Sequence, residues 1–497
     1  MFRSARLSGI ALAPPAGLHG NCAVHFARST QEQGAEMSKV KLRLLVLAAT
    51  LLLLGLSEGL HSRTSMGISP GYKDPGVRTG DAGAGGSLPG LTPKEEMFFQ
   101  AGLVEFEEAE GVGDGLGPRF NLDSCGGCHI QPATGGTSPA MNPQVAVASA
   151  FGAKNKVPSF IKLEGPIREA RFQYKFDGSR DGGVHSLFVI SGRVDDSGNA
   201  AGCTAVQEDF EKQVAFNNII FRIPTPTFGV GLIEQIPDQT IINNMNTNAS
   251  TKLLFGIFGR PNRSGNDGTI TRFGWKAQNK SLQIFSGEAY NVEMGITNEE
   301  FQQERDENST CQFATVPNTV VPTEVPPGSP DADFSSAVTK FSFFMRFLAP
   351  PMPSTTDPGG PDSISRGRQI FANVGCALCH TPKLKTGPLA TVGALRDQDV
   401  NLFSDLLVHN MGPGLADDIV QGVARGDEFR TAPLWGLGKR IFFLHDGRTN
   451  DLVQAILAHS SGGNFQFGPS EANAVIGRFK SLGDTDKQHL LNFLRSL

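Results

Sequence analysis

Three observations predict a mainly α chain of two related domains. The segments "CGGCH" (Cys125–His129) and "CALCH" (Cys376–His380) repeat Cys-x-x-Cys-His about one domain length apart. Each follows a helix-like stretch with Gly-x-x-x-Phe, Gly102/Phe106 before the first and Gly367/Phe371 before the second. The chain closes on "DTDKQHLLNFLRSL", where Leu490, Leu491, Phe493 and Leu494 give a helix capped at Thr485 its apolar side. Cys-x-x-Cys-His is the pattern by which haem is bonded covalently in c-type cytochromes. Domains of that kind pack a first and a last helix together across a small residue. The fold class expected is therefore mainly α, with two cytochrome c-like haem domains, the first carrying a large loop- and strand-containing insertion.

Taken in order, residues 1–64 read as leader and signal peptide. Lys39, Lys41 and Arg43 precede a 13-residue apolar run from Leu44 to Leu56, short for a membrane span, although an uncleaved anchor stays open. Met37 is the expected start, since residues 1–36 match no part of a signal; Cys22, His19 and His25 would then be absent from the mature chain. Residues 65–91, rich in Gly, Ser and Pro, read as a flexible lead-in. An N-terminal haem domain is expected over 92–335, opening on a helix with Pro93 in its first turn. Its insertion, at about 140–270, alternates turn residues with short runs such as "HSLFVISG", which suggests loops and strands. The proline-rich stretch 316–333 can hold neither helix nor sheet interior. A C-terminal cytochrome c domain follows over 336–497.

Composition narrows the function. With 39% hydrophobic and 19% charged residues the chain is ordinary globular protein, and a net charge of -5 gives no ground for a nucleic-acid partner. After Leu56 no apolar run is long enough to cross a bilayer. Only 10 His and 7 Cys are available as ligands. Chance would supply roughly 0.002 Cys-x-x-Cys-His strings in this composition, and there are two. Zinc or a disulfide would not require the following histidine. Cys125, Cys128, Cys376 and Cys379 are thus expected to form thioethers, with His129 and His380 on iron. Cys203 and Cys311 remain, either paired in an oxidising compartment or free.

The stretches "GLGPRFN…SCGGCH", "FRIPTPTFGVGLIEQIPD", "RFGWKA", "FMRFLAPP", "GCALCHTPKLKTG", "EFRTAPLWGLG" and "FLHDGR" resemble the bacterial di-haem c-type oxidoreductases described as peroxidases or thiol oxidoreductases. These are relatives of the di-haem cytochrome c peroxidases and of the enzyme that matures methylamine dehydrogenase. The resemblance runs from about residue 92 to 497. It implies two covalent haem c groups, electrons entering at the C-terminal haem, and peroxide reduction or substrate oxidation at the N-terminal one. Relatives carry the second haem's sixth ligand fourteen residues after the His of an "HDG" turn; His445 opens "HDGR" and His459 lies at that distance. A helix capped at Asn450 would put Leu452, Ile456 and His459 on one face, although a core histidine bonded to backbone has the same spacing.

Relatives also place Gln and Glu, ten residues apart, over the reactive iron, which maps onto Gln283 and Glu293 in "LQIFSGEAYNVEMG". A carboxylate there can move protons between the oxygens of a peroxide; a solvated Glu293 ending a surface helix is the plain alternative. His185 is a candidate for the first iron, or simply a turn histidine. Relatives have Trp between the haems where Phe273 stands here, so the relay falls to Trp275 or Trp435. The resemblance further implies a periplasmic location, a small electron-donor protein as partner, hydrogen peroxide or another oxidisable substrate, and room for a homodimer. Some relatives hold a calcium ion between domains, for which no acidic cluster speaks here. An electron-transfer di-haem cytochrome without peroxidase activity is the competing class.

Overall fold

The computed structural model describes residues 71–190, 203–305, 311–312, 316–323 and 325–497. The leader, its apolar run and Met37 lie outside the described residues. Two close helix pairs organise the rest. Helix α1 (Pro93–Glu107) starts on a capping box in which Thr92 accepts from the Glu95 N–H while the Glu95 carboxylate reaches back to the Thr92 N–H. It packs against α9 (Ala337–Phe347), capped by Ser336. The two backbones meet at Gly102, where a Cβ would stand 2.3 Å from the Lys340 carbonyl oxygen. In the C-terminal part α10 (Gly360–Val374) packs on α13 (Asp484–Ser496) in the same way, and a Cβ on Gly367 would lie 2.0 Å from the His489 carbonyl. The glycine of each Gly-x-x-x-Phe therefore sits at a helix crossing that admits no side chain. Phe106 and Phe371, one turn on, are buried in the two main cores.

The molecule is rich in helix, with small antiparallel sheets. Strands β2 (Glu169–Phe172), β3 (Val184–His185) and β5 (Ile219–Arg222) form a three-stranded sheet, and β1 (Arg119–Phe120) pairs with β4 (Phe188–Val189). Alternation along β2 buries Ala170 and Phe172 and turns Glu169 and Arg171 to the other face. The insertion also holds helix: α5 (Val230–Glu234), α6 (Asp238–Asn246) and α7 (Ala249–Phe255) occupy a region that reads as loop and strand in the sequence. Their short lengths, broken by Pro237 and Asn248, hide the helical period.

Pro70–Leu497 forms one compact unit. The stretch 71–91, read as a loose lead-in, is fastened to its C-terminal part: Asp74 accepts two bonds from the buried Arg495 guanidinium, and Lys439 donates to the Arg78 carbonyl. Asp484 accepts from the Gly71 N–H. Helix α13 begins one residue before Thr485, behind Gly483 and with no side-chain cap. Cys203 and Cys311 form a disulfide. No helix among the described residues is long and apolar enough to cross a membrane.

Candidate functional site

Each Cys-x-x-Cys-His lies on a tight helical turn that opens onto its own cavity. The first is α2 (Cys125–Cys128), capped by Ser124, whose hydroxyl accepts from the Gly127 N–H. The second is a 3-10 turn, Cys376–Leu378, entered through Gly375 at φ +110°. Counted out to open solvent at their mouths, the two cavities take in about 1100 Å³ and 1430 Å³ of empty space.

The imidazoles show one repeated device. His129 Nδ1 lies 2.9 Å from the Gly136 carbonyl, His380 Nδ1 3.0 Å from Phe403 O and His459 Nδ1 2.8 Å from Ala455 O. A carbonyl can only accept, so Nδ1 carries the proton and Nε2 keeps its lone pair. Burial holds all three below the ordinary histidine range, His129 and His380 at about 4. These are neutral rings oriented as metal ligands usually are. Burial also pushes the Cys125 and Cys376 thiols up to about 12, so neither stands as a thiolate. Within the first cavity, Gln278 Oε1, Arg168 Nε and Arg222 Nε are buried without a protein partner. Neutral thiols, free Nε2 atoms and unpaired polar groups are what a covalently held haem with polar edges would satisfy.

The second cavity brings His380 and His459 together, with His445 on its wall. Helix α11 (Leu452–Leu457) is capped by Asp451, one residue later than expected at Asn450, and presents Leu452, Ala455 and Ile456 beside His459. His445 stacks on Phe429 at 4.2 Å and meets the Trp275 ring edge-on at 6.4 Å. Asp405 and Glu471 both reach the buried His409 on this wall, at 3.0 and 2.8 Å, and Cys379 Sγ lies 3.7 Å from it. Asp405 stands four residues before His409 in "SDLLVHN", but the second carboxylate, Glu471, comes from a distant segment.

The first cavity is different. Among its described lining residues His129 is the only histidine. Opposite stand Glu293, at the end of α8 (Leu282–Met294), and Glu169 and Arg171 from β2. Asn121 holds the end of α8, donating from Nδ2 to Glu293 Oε2 at 2.7 Å and from its N–H to the Glu293 carbonyl. Burial, then the Glu169 charge, raise the Glu293 carboxyl well above its usual range. Burial works most strongly against Glu169 too, but the Arg171 guanidinium, the Glu293 hydrogen bond and the Arg222 charge together overcome it and hold that carboxyl below its usual range. Arg222 is set into the wall by Asp417, at 2.7 Å, and Gln421, at 2.6 Å.

One expectation requires correction, and one open alternative is decided. Gln283 does not reach this cavity: the α8 positions that do are Phe285, Ser286, Ala289, Glu293 and Met294, one face of the helix at three- and four-residue spacing, while the Gln283 amide donates to Thr339 on α9 at 3.3 Å. Gln278, just before α8, is the glutamine that lines the cavity. His185 also lies elsewhere, bonded by Glu208 and Asp181 and stacked on Phe172. Glu169 and Arg171 escape a sequence reading because they belong to the insertion; their alternation in "EARF" is the signal that marks them as a shared face.

Trp275 borders both cavities and donates from Nε1 to the Ile223 carbonyl at 3.0 Å. Trp435 borders neither, packing against Gly229. Phe273 stacks on Phe285 beside the first cavity.

The family described as "Di-haem oxidoreductase, putative peroxidase" matches residues 169–497, a span that holds the second Cys-x-x-Cys-His, His459, Glu169 and Glu293 and begins after His129. No curated protein matches the chain. Among solved structures it is similar to a Kuenenia stuttgartiensis hydrazine synthase pressurised with xenon, at 20% identity and a TM-score of 0.22. That alignment covers 34% of this chain and 59% of the other, under two thirds of its length.

Proposed function

This chain belongs to the di-haem oxidoreductases, and on that footing we propose that it is a periplasmic di-haem c-type enzyme with peroxidase-like activity. Cys125/Cys128 and Cys376/Cys379 hold the two haem groups as thioethers, in two cytochrome c-like halves, 92–335 and 336–497. Bound there, haem supplies a redox-active iron from which electrons can pass to a peroxide.

The observation that carries the reading is the asymmetry of the two cavities. His380 and His459 offer two free Nε2 atoms to one cavity, so that both could hold the iron of a haem bound there. In the first, His129 offers one, and the rest of the wall is carboxyl, guanidinium and amide. The first cavity is then the place of reaction and the second the place where a small electron-donor protein delivers electrons. Glu293 and Glu169 share one proton between two carboxyl groups. Glu169, kept ionised by Arg171, Arg222 and its bond with Glu293 together, can take a proton from an entering peroxide, while neutral Glu293 can give one to the departing oxygen. Arg171 and Arg222 favour negative charge appearing between them. Trp275, bordering both cavities, is the electron relay, with His445 against its edge.

An EPR spectrum of the oxidised protein tests this. One high-spin ferric signal that responds to hydrogen peroxide is the expected result. Two low-spin signals indifferent to peroxide would make the protein an electron-transfer cytochrome instead.

A further inference from the structure

The mechanism above leaves one buried acid–phenol pair unused. Tyr290, on α8, is 3% exposed, and its Oη donates to Glu110 Oε1 at 2.5 Å. Glu110 is itself 7% exposed, and its backbone N–H is bound by the Asp123 carbonyl, two residues before Cys125. The pair therefore lies behind the attachment turn of the first cavity. Aromatic rings connect the two. The Tyr290 ring meets Phe341 edge-on at 5.0 Å, Phe341 meets Phe106 at 6.2 Å, and Phe106 meets His129 at 6.0 Å. Phe341 and Phe106 line the cavity, so a single layer of phenyl rings separates Tyr290 from it.

Burying a carboxyl here is costly unless its charge or proton is used. Burial pushes Glu110 up to about 7, which makes it a base near neutral pH. Burial, followed by the Glu110 charge, raises the Tyr290 phenol, so Tyr290 cannot exist as phenolate beforehand. Such a phenol can lose an electron only if its proton leaves at the same time, and Glu110 is placed to receive it.

We propose that Tyr290 and Glu110 form a proton-coupled oxidation site that stores one oxidising equivalent beside the first haem. The step rests on the reading that hydrogen peroxide draws two electrons from the haem groups. One electron then passes from the Tyr290 phenol to the oxidised haem at His129. The Oη–H bond breaks and an O–H bond forms on Glu110 Oε1, leaving a neutral phenoxyl radical and a carboxylic acid. One electron from the donor and return of the proton from Glu110 restore the pair.

Freeze-quench EPR of the haem-loaded full chain mixed with hydrogen peroxide tests the site. The chain has 3 tyrosines, Tyr72, Tyr174 and Tyr290, so assignment is direct. Expected is an organic radical whose hyperfine pattern narrows with ring-deuterated tyrosine. It should fall at least tenfold in Tyr290→Phe, fall in Glu110→Gln, and persist in the double variant Tyr72→Phe/Tyr174→Phe. Haem content and the ferric absorption spectrum should be unchanged in all of them. A haem spectrum that responds to peroxide with no radical, or a radical that survives Tyr290→Phe or is lost in the double variant, overturns the inference alone. A radical undiminished in Glu110→Gln removes Glu110 as the acceptor and overturns the pair. If peroxide leaves the haem absorption unchanged, the peroxidase reading fails and takes this inference with it.

Discussion

Glu293 and Glu169 share a hydrogen bond inside the first cavity, and their surroundings push them in opposite directions, Glu293 towards the neutral acid and Glu169 towards the carboxylate. The division of labour follows from what each touches. Glu169 lies on the same strand face as Arg171, whereas Glu293 meets the amide of Asn121 and the charge of Glu169 itself. On the peroxidase reading, one proton held between two oxygens would be available at the moment a peroxide bond opens, with no diffusion from solvent.

Replacing Glu293 with Gln removes that proton while keeping the amide able to bond Asn121. Peroxide consumption should fall by about 10²–10⁴-fold, the usual contribution of a positioned acid or base. Haem content, read from the alkaline pyridine spectrum, should not change. Turnover equal to the wild type would remove Glu293 from the proton path.

Glu169→Gln acts on the same proton from the other side. It deletes the negative charge that, after burial, does most to keep Glu293 protonated, and it leaves Arg171 nearer to Glu293 as the uncompensated charge. Both changes favour ionised Glu293, so its apparent pKa should fall. Activity that needs neutral Glu293 should then decline at lower pH than in the wild type. The check is the alkaline limb of the pH–rate profile; a limb that stays in place, or moves upwards, contradicts the shared-proton arrangement.

The site was legible in sequence to the extent that its chemistry is local. Cys125–His129 and Cys376–His380 are complete within five residues each, and Gly102 and Gly367 mark their helix crossings by a spacing that recurs. Glu293 was reachable only through the resemblance, since a glutamate that ends a helix reads equally well as solvated. Gln283 was not placed correctly, since ten residues along an α-helix turn a side chain well away from its partner's face, and only lining neighbours such as Phe285 and Ala289 show which face looks into the cavity. Glu169, Arg222, His409 and Gln278 were not legible, because what makes each part of a cavity wall includes a partner distant in the chain: Glu293 for Glu169, Asp417 for Arg222, Glu471 for His409, and the rest of the first cavity for Gln278. The five short helices described in the insertion went unread for a different reason: none is long enough to display a period.

The helix crossings can be tested through stability. An alanine at Gly102 or Gly367 would add helix propensity, worth about 1 kcal/mol, but its Cβ would fall 2.3 Å from Lys340 O or 2.0 Å from His489 O. Backbone atoms cannot swing aside as a side-chain tip can, so the helices must separate, at a cost of roughly 1–3 kcal/mol or more. The expected outcome is a lower denaturant midpoint for each variant at unchanged slope. A midpoint at or above that of the wild type would show that the crossing is looser than the structure has it.

His459 provides the sharpest test of the second cavity. Its Nδ1 proton is committed to the Ala455 carbonyl, its Nε2 is free, and burial keeps the ring neutral in the cavity that also holds His380. A histidine that merely lined the cavity would turn Nε2 to water; an iron ligand uses it. His459→Gly should open one axial position and convert a low-spin ferric EPR signal to high-spin, without loss of covalently bound haem. His459→Met should keep six ligands and raise the reduction potential of that haem, because a thioether stabilises the ferrous state relative to imidazole. Spectroelectrochemical titration reads the second variant independently of turnover. If both variants retain the wild-type spin state and potential, His459 is a core residue, and the contrast between the two cavities on which the peroxidase reading stands disappears.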